Sequence, residues 1–141
     1  MYKAIDISKY IINKCVNDKK YISNLQLQKI LYFIQKEFLK TRGEQAFSDY
    51  IEAWQFGPVI PEVYYRYCGS GGMTIVFSFE DYTLKEYDQL TIDRIVNEKR
   101  ELSPWKLVEE THKPNGAWAK TYKNGKGYRN VIPISLIQKE A

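Results

Sequence analysis

The sequence predicts a mainly α fold with a small β component: a compact bundle of about five or six helices with about two or three short strands. Three observations indicate it. Apolar residues recur at helical spacing along much of the chain, most regularly over residues 24–41, the expected central helix. Serine or threonine caps, followed by proline or by a glutamine or glutamate, mark several helix starts. Runs rich in β-branched residues are few and short, as in brief strands.

The central helix has clear start and stop signals. Ser23 can cap the first turn, and Gln26 three residues later completes a capping box. Gly43 is placed to end the helix in a left-handed conformation. The apolar face is formed by Leu27, Ile30, Leu31, Ile34 and Phe38. The opposite, polar side is predicted to hold Gln28, Lys29, Gln35, Lys36 and Lys40. Further apolar residues widen the stripe, so we expect neighbours on several sides.

An earlier helix is predicted over about residues 6–17, because apolar residues recur along one stripe there. Asp6 or Ser8 is the expected cap of this helix. After Gly43 the period changes, and residues 47–54 are predicted to be extended. The Gly57–Pro58 pair is a turn signal, and Pro61 is well placed to open the next helix, over residues 61–67.

The second half of the chain predicts further helices and two short strands. Residues 74–79 (TIVFSF) and 131–134 (VIPI) are the expected strands, the second at a sheet edge because of its proline. Thr83 and Glu86 form another capping box, for a helix that runs to about residue 100. Ser103 and Pro104 open a helix that ends near residue 112. A short final turn is expected after Asn115.

Length and composition point to one ordinary globular domain over residues 1–141. The chain has no apolar run long enough for a membrane span, and its first residues do not form a signal peptide, so we expect a cytoplasmic protein without membrane contact. Cys15 and Cys68 are expected to be reduced, small hydrophobic residues. A disulfide between them is the alternative.

The net charge of +4 is unevenly distributed. Residues 111–139 contain six basic residues and no acidic one. This run is most simply a solvated C-terminal face. The functional alternative is a docking patch for an acidic protein or for nucleic acid. The basic residues are spaced three or more apart with glycines between them, a looser pattern than nucleic-acid arms usually have.

Catalytic signatures are weak. His112 is the only histidine, so the chain cannot form a site with several histidine ligands, and the two cysteines have no CxxC spacing. No metal or cofactor is therefore expected. A hydrolase that pairs His112 with a carboxylate stays open as an alternative, because seventeen acidic residues offer many pairs. A structural role near a helix end is the simpler interpretation of His112, and a polar anchor at a partner-binding surface is its functional alternative.

Tyrosine is unusually abundant, with 12 of the 21 aromatic residues. Tyrosine combines apolar area with a polar tip and is enriched in interface cores. Most of these rings are expected at the boundary of the core. Tyr64, Tyr65 and Tyr67 share one short helix, however, so at least one of them must point outward.

Three segments carry a resemblance to a known family: LQLQKILYFIQ, IEAWQFGPVIPEVY and THKPNGAW. Together they resemble the Panacea domain, which occurs in SocA-like antitoxins and in phage-associated proteins of the GepA type. The positions that match the family pattern are Leu27, Gln28, Lys29, Glu52, Ala53, Trp54, Gly57, Pro58, Val59, Pro61, Val63, Tyr64, Thr111, His112 and Trp118. One departure is Ala117, which stands where the family usually has a proline.

The resemblance implies a non-enzymatic antitoxin that neutralises a co-encoded toxin by direct binding, in some members as an adaptor that delivers the toxin to a protease. The expected partner-binding residues are Trp54, Phe56, Gly57, Pro58, Tyr64, Tyr65, His112 and Trp118. A nucleic-acid-binding regulator that uses the basic segment is the first alternative, and a small hydrolase is the second. The sequence leaves the identity of the toxin and a homo-oligomeric state open.

Overall fold

The computed structural model describes residues 1–79 and 84–140. In this part of the chain seven α-helices and one two-stranded antiparallel sheet form the architecture. The elements are α1 (Ala4–Asn17), α2 (Asn24–Arg42), β1 (Glu52–Trp54), β2 (Gly57–Val59), α3 (Pro61–Tyr67), α4 (Glu86–Lys99), α5 (Pro104–Thr111), α6 (Ala117–Tyr122) and α7 (Ile134–Glu140). The mainly α prediction is confirmed, with more helices than expected.

The helix α2 is central, as its wide apolar stripe predicted. It packs against α1, α3, α4, α5, α7 and β2. Both predicted ends are confirmed: Ser23 and Gln26 form the reciprocal capping box, and Gly43 ends the helix at φ +67°. These signals are local, so they determine the helix bounds whatever packs around the helix.

The polar side predicted for α2 is largely wrong. Gln28, Lys29 and Gln35 are all buried, although their positions lie off the main apolar face. Each makes at least one hydrogen bond to a neighbouring segment. The Gln35 side chain, for example, accepts from the amide of Ala46 at 2.7 Å and donates to the carbonyl of Phe47 at 3.1 Å. A buried polar group that is fully bonded to another segment fixes the position of that segment.

Helix starts were predicted less well outside α2. The helix α1 begins at Ala4 after Lys3, so Asp6 and Ser8 lie inside it and neither is the cap. The hydroxyl of Ser8 donates to the carbonyl of Ile5 at 2.6 Å. The helix α5 does begin with Ser103 as its cap, which accepts from the amide of Lys106.

Of two further start signals, the one at Asn115 did not mark the observed helix start, and the one at Thr83 is not tested. Thr83 lies outside the described residues, and α4 is described from Glu86. The cap of α6 is Gly116, while Asn115 takes a positive φ of 62° just before it.

The turn of the hairpin lies two residues before the predicted Gly57–Pro58 turn. Gln55 and Phe56 form the two-residue turn, so Gly57 and Pro58 belong to β2. The strands pair with Ala53 opposite Pro58 and Trp54 opposite Gly57. Of the predicted extended segment 47–54, only the last three residues form a strand.

Neither of the two later strand predictions is correct. In residues 74–79 only Thr74 makes a bridge, to Ser23, and the backbone of Phe79 is bonded by the side chain of Asn13. A β-branched run needs a neighbouring strand to build a ladder, and this segment lies beside helices. In the last segment Val131 makes one bridge to Glu52, after which α7 starts directly behind Pro133.

Other features of the described part agree with the sequence. Cys15 and Cys68 are free thiols, the first buried and the second exposed. Tyr67 is buried while Tyr65 is 54% exposed, so the short helix α3 does turn one tyrosine outward. No helix among the described residues is long and apolar enough to cross a membrane.

The contact between α2 and β2 depends on Lys29. This side chain is fully buried, and its Nζ donates to the carbonyl oxygen of Pro58 at 2.9 Å. Burial lowers the pKa of Lys29 from its ordinary value of 10.5 to about 7. The fold therefore holds a lysine that is largely neutral at mildly alkaline pH.

Lys29 makes stability depend on pH in a defined direction. Between pH 7 and 10.5 the unfolded chain binds more protons than the folded chain, so the free energy of unfolding rises with pH across this window. We expect the unfolding free energy of the wild type, minus that of the Lys29→Met variant, to rise by about 1 kcal/mol per pH unit in this window. Urea denaturation at several pH values measures this difference. Parallel pH curves for the two proteins would contradict the burial of a neutral lysine.

Gly57 occupies a position that only glycine tolerates. Its φ is +115°, and an added Cβ would lie 2.7 Å from Thr111 Oγ1 and 3.0 Å from Lys29 Cε. We expect Gly57→Ala to lower the free energy of unfolding by roughly 2–4 kcal/mol through strain and overpacking. Gly69→Ala is the matched control, because an added Cβ at Gly69 meets nothing within 4 Å. Equal thermal melting of the two variants would show that this account of Gly57 is wrong.

Candidate partner-binding surface

The hairpin β1–β2 and the helix α3 form a corner that α2 holds from below. Gln28 Oε1 accepts from the amide of Ile60 at 2.8 Å, and Gln28 Nε2 donates to Asn24 Oδ1 at 2.9 Å. Asn24 Nδ2 in turn donates to the carbonyl of Tyr64 at 3.1 Å. Together with Lys29, these side chains bond the backbone of the corner at three points. The corner is therefore fixed by buried hydrogen bonds as well as by packing.

Aromatic rings gather on the outer side of this corner. The ring of Trp54 lies 4.9 Å from Tyr64, 6.2 Å from Tyr65 and 6.3 Å from Tyr128, measured between centroids. We call Trp54, Tyr64, Tyr65 and Tyr128 the aromatic cluster. The guanidinium of Arg129 lies 5.0 Å from the Trp54 ring, within the range of a cation–π contact.

A second pair of exposed rings extends this surface. Phe56, at the hairpin turn, packs edge-to-face on Trp105 of α5 with ring centroids 5.5 Å apart. Phe56 is 46% exposed and Trp105 is 63% exposed. Rings this exposed leave apolar area open to water, which is the kind of patch that often marks an interaction site.

A stack of three rings supports the cluster from inside. The ring of His112 stacks on Trp118 with centroids 3.7 Å apart. The ring of Tyr122 also stacks on Trp118, with centroids 4.7 Å apart. Trp118 is largely buried, and its Nε1 donates to the carbonyl oxygen of Trp54 at 2.7 Å. The stack thus ties α6 and the end of α5 to the strand that carries Trp54.

His112 lies in an apolar environment. Burial lowers its pKa below the ordinary value, the ammonium of Lys29 acts in the same direction, and a hydrogen bond with the backbone of Phe56 opposes both. Its Nε2 is buried and has no hydrogen-bond partner among the described residues. The contacts that position this ring are an indole face and a backbone group, which suits a role in holding the corner.

A groove of about 480 Å³ opens beside the aromatic cluster. Trp54, Phe56, Tyr64 and Tyr128 form apolar parts of its wall, and Asn24, Gln28 and Lys29 lie on the α2 side. No aspartate or glutamate is among the described residues that line it. The groove is therefore mainly apolar, with aromatic rings in its wall and polar groups from α2 beneath.

The eight residues expected to bind a partner lie in one region, but at different depths. Trp54, Phe56, Tyr64 and Tyr65 belong to the outer surface, whereas Gly57, Pro58 and Trp118 are buried beneath it. His112 is partly buried against Trp118. The buried members shape and support the surface.

Sequence reasoning missed Trp105, Tyr128 and Arg129 as members of this region, and it placed Gln28 and Lys29 on a polar face. The signal for the last two was in the family pattern, which includes the Leu27–Gln28–Lys29 triplet. In the sequence, Arg129 is one of the six basic residues spaced along residues 111–139. Its contact with Trp54 depends on folding between distant segments, so no local pattern could predict it.

Comparisons with known proteins agree with the family pattern. The family model described as "Antitoxin SocA-like, Panacea domain" matches residues 27–119. The curated protein "Antitoxin SocA" of Caulobacter vibrioides (strain NA1000 / CB15N) is 33% identical over an alignment 134 residues long, and the alignment covers 84% of this chain and 69% of that protein. No solved structure gives a significant match. The chain therefore belongs to the family of SocA-like antitoxins with a Panacea domain.

Proposed function

We propose that this protein is an antitoxin that neutralises a co-encoded toxin by direct protein–protein binding through the aromatic cluster and its surroundings. Family membership supports the antitoxin role. The observation that carries the binding mode is a set of exposed rings around the half-buried Trp54, on the rigid corner and directly beside it: Phe56, Tyr65, Trp105 and Tyr128.

Physical reasons favour this surface as the toxin-binding site. Tryptophan, tyrosine and arginine are the residues most often found in binding hot spots, and here they lie together. The backbone beneath them is bonded to α2 through Asn24, Gln28 and Lys29. A surface that is ordered before binding loses little conformational entropy when the partner arrives, so more of the contact energy appears as affinity.

Two modes of neutralisation begin with this contact. The toxin is blocked while it is bound, or it is bound and then delivered to a protease. Both require the same surface, so substitutions there abolish both. Toxin half-life separates them: simple blocking leaves the half-life unchanged when the antitoxin is co-expressed, whereas delivery shortens it.

The double substitution Phe56→Ala with Tyr65→Ala tests the proposed surface. Both side chains are exposed, so we expect the variant to fold, while loss of these two rings weakens toxin binding by roughly 100-fold or more. The readout is growth of cells that co-express the variant and the product of the adjacent reading frame, and this growth should fall.

Tyr50→Ala is the control, because Tyr50 is 74% exposed and lies outside the aromatic cluster. This control should restore growth as the wild type does. If the double variant also restores growth fully, the toxin binds elsewhere. If the wild type gives no rescue, the adjacent product is not its toxin.

A further inference from the structure

Arg129 is held beside the aromatic cluster by its own backbone. Its φ is +67°, a left-handed conformation that non-glycine residues rarely adopt. The amide of Arg129 donates to the carbonyl of Ala53 at 2.7 Å, and the carbonyl of Asn130 accepts from the amide of Ala53 at 2.9 Å. These two bonds attach the segment to β1 and determine where the side chain begins.

The guanidinium of Arg129 is held in place, but only some of its N–H donors have partners among the described residues. Its Nη2 donates to the hydroxyl of Tyr65 at 3.1 Å, and its Nε lies 3.5 Å from Glu52 Oε1. Arginine has five N–H donors, and among the described residues these are the only two such contacts. The same Glu52 oxygen also accepts from Trp54 Nε1 at 2.9 Å. Nη1 has no bonded partner in the described part of the chain, and the side chain is 50% exposed.

This geometry suits a carboxylate from outside. A guanidinium that rests on an aromatic ring keeps its plane fixed, and its Nη1 and Nη2 form a fork that matches the two oxygens of a carboxylate. The existing pair with Glu52 occupies the Nε side, and Tyr65 accepts only one of the two N–H groups of Nη2. Nη1 and the second N–H group of Nη2 therefore remain for a ligand. The groove beside it is lined in part by aromatic rings and, among the described residues, by no acidic side chain.

We propose that Arg129 binds an aspartate or glutamate side chain of the toxin, and that the groove beside Trp54 and Tyr128 takes a neighbouring large apolar side chain of the same toxin segment. This inference rests on the proposed function. It names the chemistry that the surface recognises: an acidic residue next to an aromatic or large aliphatic one.

Nearby charges favour a peptide over nucleic acid. Asp49, Glu52 and Glu62 line the cleft next to the corner, and a phosphodiester backbone that crossed this region would bring a charge at every nucleotide against them. A single carboxylate can reach Arg129 without such a path.

The test uses substitutions at Arg129 and titration with the purified product of the adjacent reading frame. We expect Arg129→Glu to weaken binding by roughly 100-fold, and Arg129→Lys by roughly tenfold because lysine lacks the fork. Lys126→Glu is the matched control, since it makes the same change of charge three residues away on the same exposed segment. It should stay within about threefold of the wild type. Replacing the acidic residues of the toxin one at a time by arginine should yield one variant that restores binding to Arg129→Glu.

Other outcomes decide against the inference. If both Arg129 variants bind the toxin like the wild type, the carboxylate contact is absent while the proposed function stands. If the wild type itself fails to bind, the proposed function falls and the inference with it. Binding of DNA or RNA in a gel shift that Arg129→Glu abolishes, with toxin binding unchanged, would assign Arg129 to nucleic acid and overturn the proposal.

Cys68 provides a readout that needs no substitution. It lines the groove and is exposed, whereas Cys15, the other cysteine of the chain, is buried. A toxin segment in the groove should slow the reaction of Cys68 with a maleimide by at least about tenfold, because access to the thiolate controls its rate. Cys15 should stay unlabelled in both states as an internal check on folding. An unchanged Cys68 rate in the saturated complex would show that the groove stays empty.

Discussion

The buried polar side chains of the central helix bond to the backbone of the hairpin corner, and the rest of the candidate surface depends on these bonds. Gln28 satisfies the amide of Ile60, and Lys29 satisfies the carbonyl of Pro58. A buried amide without a partner costs about 1–3 kcal/mol, and an unpaired buried lysine costs more. Any shift of the corner would break these bonds, so its position is strongly determined.

This constraint connects the core to the proposed function. The aromatic cluster is carried by backbone that α2 holds from below and that Trp118 contacts from the side. The rings therefore keep their arrangement without a bound partner. Arg129 is added to this surface through bonds to β1 and a contact with Trp54. The result is a preorganised patch with the Arg129 guanidinium beside it, which fits the recognition of a protein segment.

Local signals in the sequence predicted the parts of this fold that local chemistry determines. The caps at Ser23, Gly43 and Ser103 are examples, because each depends on a few adjacent residues. Side chains whose environment comes from distant segments were not predictable in this way. Helical periodicity assigned Gln28 to a polar face because it sorts residues by polarity, and it cannot foresee a buried acceptor for the Ile60 amide. The strand predicted over residues 131–134 was wrong for a related reason, because a strand needs a partner strand that only the fold supplies.

Amide hydrogen exchange in a Gln28→Leu variant tests the central claim most directly. Leucine keeps the approximate volume but removes the acceptor for Ile60 and the donor to Asn24. If these bonds hold the corner, the amide of Ile60 should exchange at least about 100-fold faster than in the wild type, while amides of α1 and α4 keep their protection. Toxin affinity should fall in parallel. Unchanged protection at Ile60, or lost protection with full toxin affinity, would contradict the account.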